Sequence, residues 1–509
     1  MEKINRSTFL IIGGGIAGVS CAEHLTASCP EESVTLITAT DLVKSVVNLR
    51  EYGRHLQVFD VEAKPGSYLC SEKKKLRVVK AVIVSFDPQA HSVTTDEGQV
   101  FFYKKLCICT GGQPKVIDKD CPHVIGIRDT QSVHDFRTRL AKARRVMIVG
   151  NGGIALELAY ELRGCEVIWA IKDNAIGNTF FDKGAASFFL PHLASGDSGD
   201  GCKCKQRLVK RMKYGTEEDK CGSALKKECS GTSRPNGGAL GPDWSSDLHL
   251  HGDASTRQVH VEYDCEVSGI LSPGEISIQG LKPNQFPSAL VDNGLHTSFE
   301  DSLDWPVYVS LTNNRIYGCD FVVSATGVTP NVEPFLGCGG FELGEDGGIK
   351  VDKNMKTNIP DVYAAGDVCC ASWEPSKFWF QMRLWSQARQ MGAFAARCMD
   401  LHNKGEETDL DYCFELFAHV TQFFGYKVVL LGKYNAQGLG SDYQLLLRCT
   451  KEKEYIKVVM QNGRMVGAVL VGETDMEETF ENLILNELDL SEFGESLLDP
   501  GVDIDDFFD

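Results

Sequence analysis

Apolar positions in the first half of the chain fall into short β-type runs punctuated by glycine. Residues 9–12 form one such run, and Gly13-x-Gly15-x-x-Gly18 carries it into a helical stretch at 19–26 and a second apolar run at 34–37. That succession predicts a βαβ unit. It returns at 146–149, Gly150-x-Gly152-x-x-Ala155, the helical 156–163 and the run 167–171. From about 194 to 258 the periodicity fades into Gly, Ser, Lys and Cys, which predicts a flexible insertion in the second unit. Strand-like runs resume at 259–262, 307–311 and 321–325, and a helix with aromatic faces is expected over 378–399. Residues 414–471 alternate β-rich runs (428–431, 443–447, 456–460, 465–469) with turns, and a helix is expected at 477–488. That final pattern predicts a small antiparallel domain with a helix.

The spacing of the glycines carries the chemistry. The first permits a tight turn, and the second lets the backbone approach a pyrophosphate. The third small residue lets helix pack on strand, which leaves phosphates at a helix N-terminus. With strand before and helix after, twice, Gly13, Gly15 and Gly18 mark one nucleotide site; Gly150, Gly152 and Ala155 mark another. Neither second strand ends in the acid that usually holds ribose hydroxyls. Thr38 occupies that place in the first unit, with Thr40 and Asp41 nearby, and Lys172 in the second. A missing acid removes repulsion against a 2′-phosphate, and a lysine attracts one. NADPH use is therefore open beside NADH, and a merely solvated Lys172 remains the plainer alternative.

Composition narrows the setting. Hydrophobic content of 43% and charged content of 24% are those of a globular protein. No apolar run reaches the roughly 18 residues of a membrane span, so no membrane partner is expected. The first residues match neither a signal peptide nor a transit peptide. Nineteen cysteines are then expected as reduced thiols in a cytosolic or nuclear protein. A net charge of −18 argues against direct nucleic-acid binding over the whole surface. Nine acids and no Lys or Arg lie from Glu487 onward, whereas six basic residues crowd into 203–213. The basic stretch is either a nuclear-localisation or RNA-contacting patch or a solvated loop. The acidic end is either a docking segment for a protein partner or a solubilising tail. Cys202, Cys204, Cys221 and Cys229 with His249 and His251 lack zinc spacing, and no metal site is expected.

Three further stretches are similar to motifs of the pyridine nucleotide-disulphide oxidoreductase family. Tyr103-Lys-Lys-Leu-Cys-Ile-Cys-Thr110-Gly111-Gly112 resembles the strand and turn that close its FAD domain. Asp320-Phe-Val-Val-Ser-Ala-Thr326-Gly327-Val-Thr-Pro330-Asn331 resembles the turn where the chain leaves its NAD(P) domain. Thr357-Asn-Ile-Pro-Asp-Val-Tyr-Ala-Ala-Gly366-Asp367 resembles its late FAD motif, whose Asp bonds the ribitol. The resemblance implies an α/β fold with two Rossmann-like dinucleotide-binding domains, one for FAD and one for NAD(P), and a small α+β C-terminal domain. The expected FAD-binding domain is 1–144 with 320–400, and the expected NAD(P)-binding domain is 145–319. A C-terminal domain at 412–488 and an acidic tail at 489–509 follow. The implied cofactors are FAD and NAD(P)H.

The family also implies that Glu157 lies near the nicotinamide and flavin, and Lys44 matches a flavin-adjacent lysine of some relatives. The plainer alternatives are an ordinary helix-surface Glu157 and an exposed Lys44. One departure bears on activity. The family's disulphide reductases carry C-x4-C after the first fingerprint, and thioredoxin-reductase-like members carry C-x-x-C in the second domain. Here the corresponding loop, 41–50, has no cysteine, and neither spacing occurs anywhere. Without a thiolate poised on the flavin, the flavin-to-disulphide relay is not available. Cys369-Cys370, directly after Asp367, is either a vicinal redox pair or two packing residues. The resemblance further implies a nuclear and cytoplasmic flavoprotein of oxidative-stress defence, associated with a tRNA-ligase complex. Two activities follow as expectations: an NAD(P)H oxidoreductase passing electrons to oxygen, a quinone, a thiol or a protein, or a redox-gated binding protein.

Overall fold

The structure, a computed structural model, describes residues 5–72, 75–128, 130–195, 250–253, 257–287, 305–337 and 340–501. Two largely parallel sheets organise it. In the first, the strands run in the order Leu76–Lys80, Val34–Thr38, Asn5–Ile12, Val100–Ile108, Ser92–Thr95, Ile83–Asp87. Val362–Ala364 adds a further parallel partner to Val100–Ile108. A parallel sheet covered on both faces needs apolar residues on both, which is why these strands read as unbroken runs. Every residue of Val34–Thr38 is buried, as is the Phe9–Ile12 half of the first strand. The helices Ile16–Ser28 and Trp385–Lys404 pack together over one face. Their seam is close: a β-carbon on Gly392 would lie 2.2 Å from the Ala17 carbonyl oxygen.

The second sheet is all parallel, in the order Val124–Ile125, Phe321–Ser324, Arg145–Val149, Glu166–Ala170, Gln258–Glu262. This moves two expected boundaries. Phe321–Ser324 pairs with Arg145–Val149, so the return to the FAD domain comes after this strand and not at 320. At the other end Val124–Ile125 pairs with Phe321–Ser324. Val133, Phe136 and Leu140 of the helix Thr130–Leu140 join the core of the second sheet, so that domain begins some way before 145. A three-stranded antiparallel sheet (Val267–Leu271, Val307–Leu311, Ile316–Cys319) covers its other face through Val307, Val309, Leu311 and Tyr317. The helix Lys183–Ser195 leads to the expected insertion, most of which lies outside the described residues.

The C-terminal sheet is antiparallel throughout: Ala418–Phe423, Tyr426–Gly432, Arg464–Val471, Glu454–Gln461, Gln444–Thr450. One face packs on Phe480, Leu483 and Ile484 of the helix Glu477–Leu485. The other joins the core of the second domain through Phe423, Val428, Tyr455 and Val469. Burial on both faces explains its apolar central strands.

Three sequence expectations change. The segment 41–50 is not a loop: Leu42–Glu51 is a strand paired antiparallel with Gln57–Pro65. The aromatic helix begins at Trp385, because the stretch from Phe378 to Leu384 is irregular and buries Phe378 in the C-terminal core and Trp379 in that of the first sheet. The acidic tail does not begin at 489. Leu490, Leu497 and Leu498 are buried against the C-terminal sheet, and Arg448 donates to the Leu498 carbonyl at 3.1 Å. Residues 502–509 lie outside the described residues.

Candidate active site

The two glycine turns have the same construction. At Gly13, with φ +122°, a β-carbon would lie 2.0 Å from the Cys109 carbonyl oxygen; at Gly150, with φ +124°, it would lie 2.2 Å from that of Ala325. A side chain at either would meet backbone and strain the left-handed turn. Gly18 closes helix on strand, since its β-carbon would lie 1.9 Å from the Gly13 carbonyl, and buried Ala155 takes that role in the second unit. Gly15 and Gly152 have nothing within 4 Å of a β-carbon. They face open space at helix N-termini, where a pyrophosphate would rest on backbone N–H groups.

Both turns open on one cleft of about 1580 Å³. That exceeds the several hundred Å³ typical of a site for one drug-sized ligand, and suits two dinucleotides end to end. Thr38 lines the first half, its hydroxyl turned back to the Thr40 carbonyl at 3.2 Å. Lys172 lines the second, beside Asp173, whose carboxylate accepts from Asn151 at 2.8 Å and Asn178 at 3.1 Å. Between them lie Thr110-Gly111 and Thr326-Gly327. The Thr110 hydroxyl donates to the Asn331 carbonyl at 2.7 Å, and the Thr326 hydroxyl to that of Lys115 at 3.0 Å. These bonds tie the two closing turns together.

Asp367 reaches the same cleft, while Gly366 stands behind it, φ +81°, its missing β-carbon 2.9 Å from that of Ala17. Burial pushes the Asp367 carboxyl up, against the pull of Arg383 and Arg128. A half-buried carboxylate beside open space is suited to accept hydroxyl protons, as a ribitol would offer. With Gly15, Gly152 and the cleft's volume, this donor and acceptor set fits FAD and a nicotinamide dinucleotide. Lys44 lines the cleft from the hairpin, with its backbone N–H on the Gly14 carbonyl at 2.9 Å. Glu157 is buried in the helix Gly153–Glu161; the first residues of that helix line the cleft, and Glu157 itself does not.

Sequence reasoning missed residues that complete the wall. On the strand Ala418–Phe423 the alternate residues His419, Thr421 and Phe423 all face the cleft, so the C-terminal domain forms part of it. Phe423 packs on Phe180 and Phe181 at ring distances of 5.2 and 5.4 Å. Burial lowers the His419 imidazole to about 4, and its Nδ1 lies 3.2 Å from the Ser386 hydroxyl. A period-2 pattern in 419–423 was the available signal; nothing local linked it to a site in other domains. Gln381, Met382 and Arg383 also line the cleft, and Arg383 donates to the Asp367 carbonyl at 3.0 Å. Cys369 is buried and bonded to the Gly366 carbonyl; neither it nor Cys370 lines the cleft. The cysteines that do are Cys109 and Cys265. The neighbouring Cys107 thiol and burial hold Cys109 well above the usual thiol range, and burial raises Cys265 to about 11.

Comparison with known proteins agrees with this construction. The family model for pyridine nucleotide-disulphide oxidoreductases matches residues 7–194 and 293–392. The chain belongs to that family. Its C-terminal part, 419–488, matches the model for the rubredoxin NAD+ reductase C-terminal domain. Among the oxidoreductases it resembles are proteins called pyridine nucleotide-disulfide oxidoreductase domain-containing protein 1. That of Mus musculus is 55% identical over 506 residues, covering 99% of this chain and 98% of the relative. That of Dictyostelium discoideum is 36% identical over 549 residues, covering 98% and 99%. Among solved structures, a ferredoxin reductase from Rhodopseudomonas palustris superposes with a TM-score of 0.58 at 18% identity, covering 91% of each chain. An NAD-dependent persulfide reductase from A. fulgidus gives 0.62 at 16%, covering 95% of this chain and 78% of that one. These distant structures share the fold. The cofactors of this oxidoreductase family are FAD and NAD(P)H, and this chain is an oxidoreductase-type flavoprotein of that kind.

Proposed function

We propose that the protein is an NAD(P)H oxidoreductase that works without a redox-active disulphide and hands electrons directly to oxygen, a quinone, a thiol or a protein partner, in oxidative-stress defence. FAD, when bound, supplies hydride acceptance from NAD(P)H and electron delivery outward. The observation that carries the reading is the hairpin strand Leu42–Glu51. It presents Lys44 to the cleft where disulphide reductases of the family present thiols, and the two cleft cysteines are held as neutral thiols by their surroundings. The chain's own residues bind and orient. Gly15 and Gly152 admit pyrophosphates, Asp367 accepts hydroxyl protons, and Lys172 meets a 2′-phosphate. Lys44 acts beside the flavin, and Glu157, in the helix of the cleft wall, acts near the nicotinamide and flavin. Phe180 and Phe423 exclude water from the wall.

A second reading, a redox-gated binding protein, draws support from the C-terminal domain. The sheet that lends His419 to the cleft also seats Leu497 and Leu498 of the acidic segment, so one small domain touches both site and tail. Protection or regulation of a partner such as a tRNA-ligase complex in cytoplasm and nucleus belongs to this reading.

Stopped-flow absorbance of the FAD-loaded protein mixed with NADH or NADPH, then with air, separates the two. Bleaching and reoxidation within each turnover is expected for the oxidoreductase. A long-wavelength band that persists in air selects the binder, and no bleaching with either nucleotide overturns both.

A further inference from the structure

The hairpin that carries Lys44 is held at both ends. Its base is fixed by the Lys44 N–H on the Gly14 carbonyl and the Gly66 N–H on the Asp41 carbonyl, both at 2.9 Å. Its tip, seven or more residues and about 20 Å farther along an extended chain, reaches the C-terminal domain. There the backbone N–H groups of Arg54 and His55 converge on the carboxylate of Glu481, at 3.1 and 2.5 Å. The His55 ring closes the arrangement, with Nδ1 2.8 Å from Glu481 and Nε2 2.9 Å from the Tyr412 carbonyl. Nε2 must donate there, because a carbonyl oxygen only accepts. Both side chains are essentially inaccessible, at 0% and 1% exposed. Gly53 is required beside them: a β-carbon would lie 1.9 Å from Glu481 Oε2.

An isolated hairpin of this length is marginal in water. A buried carboxylate is costly unless its hydrogen bonds are met. Glu481 therefore stays buried only while the hairpin tip is seated, and the tip is seated only while the Glu481 carboxylate takes its hydrogen bonds. The hairpin has further ties along its length. Arg389 donates to Gln57 at 2.7 Å, and Val46, Phe59 and Val61 pack with Ile16 and Trp385. Those contacts tie the middle of the strand to the first turns of both cleft helices, so tip, middle and base are held along one strand.

We infer that Glu481 is a positioning residue of the site: through Gly53–His55 it sets the hairpin, and with it the place of Lys44 in the cleft, so that the C-terminal domain controls the reactivity of the flavin end. This rests on the reading of Lys44 given above.

The test uses the full-length, FAD-loaded protein with Glu481→Ala, Glu481→Gln, Gly53→Ala and Lys44→Met. Three readouts are taken: amide hydrogen exchange over residues 42–51, visible circular dichroism of the flavin, and the rate of flavin reduction by NAD(P)H. A misplacement on the order of 1 Å costs up to about a hundredfold. Glu481→Ala and Gly53→Ala are expected to speed exchange at the Lys44 amide, change the flavin dichroism and slow reduction by at least about tenfold. Glu481→Gln, which keeps shape and one accepting oxygen, recovers part of each. Lys44→Met with Glu481→Ala is expected to be no slower than Lys44→Met alone. Faster exchange confined to 52–56, with dichroism and reduction unchanged, overturns the inference. If Glu481→Ala does not fold, Gly53→Ala and Glu481→Gln carry the same readouts. If Lys44→Met itself leaves reduction unchanged, the Lys44 reading fails, and exchange and dichroism alone decide whether the clamp positions the hairpin.

Discussion

A β-carbon on Gly150 would sit 2.2 Å from the carbonyl oxygen of Ala325, so the second nucleotide turn is closed against the backbone of the strand beside it. Gly150→Ala forces that contact and a left-handed conformation that alanine resists. The variant is expected to keep FAD and lose nicotinamide affinity on the order of a hundredfold. Gly13→Ala does the reverse and fails to retain flavin. Flavin absorbance after gel filtration and calorimetric titration with NADPH measure the two effects separately.

Lys172 stands at the second-strand end with Asp173 already engaged by Asn151 and Asn178. Lys172→Glu places like charge against a 2′-phosphate while leaving the NADH hydroxyls a partner. The expected result is a rise of about tenfold or more in the KM for NADPH, with NADH unchanged or improved. Steady-state rates with both nucleotides check it, and equal effects on the two would sink the assignment.

His419 is held near 4 by burial, below the 6.5 of a free imidazole. The unfolded chain therefore takes up a proton at this ring before the folded chain does. The contribution of a neutral, half-buried His419 to stability is complete above pH 6.5 and falls as pH drops from 6.5 towards 4, then levels. His419→Gln is expected to flatten that part of a Tm-against-pH curve. An unchanged slope in the variant would rule the ring out as its cause.

Arg145 and Glu166, the first residues of neighbouring strands of the second sheet, form a buried pair at 2.7 Å, with the Arg145 guanidinium also on the Gly318 carbonyl and beside the rings of Trp305 and Phe286. Removing one partner leaves a buried charge. Arg145→Met is expected to cost about 3–5 kcal/mol, and adding Glu166→Leu to restore a good part of it. Urea denaturation of the single and double variants tests the pattern.

The parts of the fold legible in the sequence are those written locally. Gly13, Gly15 and Gly18 sit between a strand and a helix within one short stretch, and a parallel strand buried on both faces spells its own apolar run. The hairpin was missed because 42–51 has no clean alternation: Val46 and Val47 are consecutive, and a register shift follows before Arg50. Its stability comes from pairing with Gln57–Pro65 and from Glu481, more than four hundred residues away. His419 was missed for the same reason, since its strand belongs to a different domain from the cleft it lines. The boundary at 320 failed because a closing motif marks a turn, whereas sheet membership is set by the strand before it.

The described cysteines have a bearing on durability. Cys21, Cys107, Cys109, Cys165, Cys265, Cys319, Cys369 and Cys398 are all buried, and burial raises their thiols above the ordinary range; among the described residues only Cys449 is exposed. Peroxide attacks thiolates, and a protonated, enclosed sulphur offers it little. The proposed transfer of electrons to oxygen would release peroxide beside these thiols. Such a core would sit beside that chemistry without being consumed by it, and among the described residues Cys449 is the place where wear would first show.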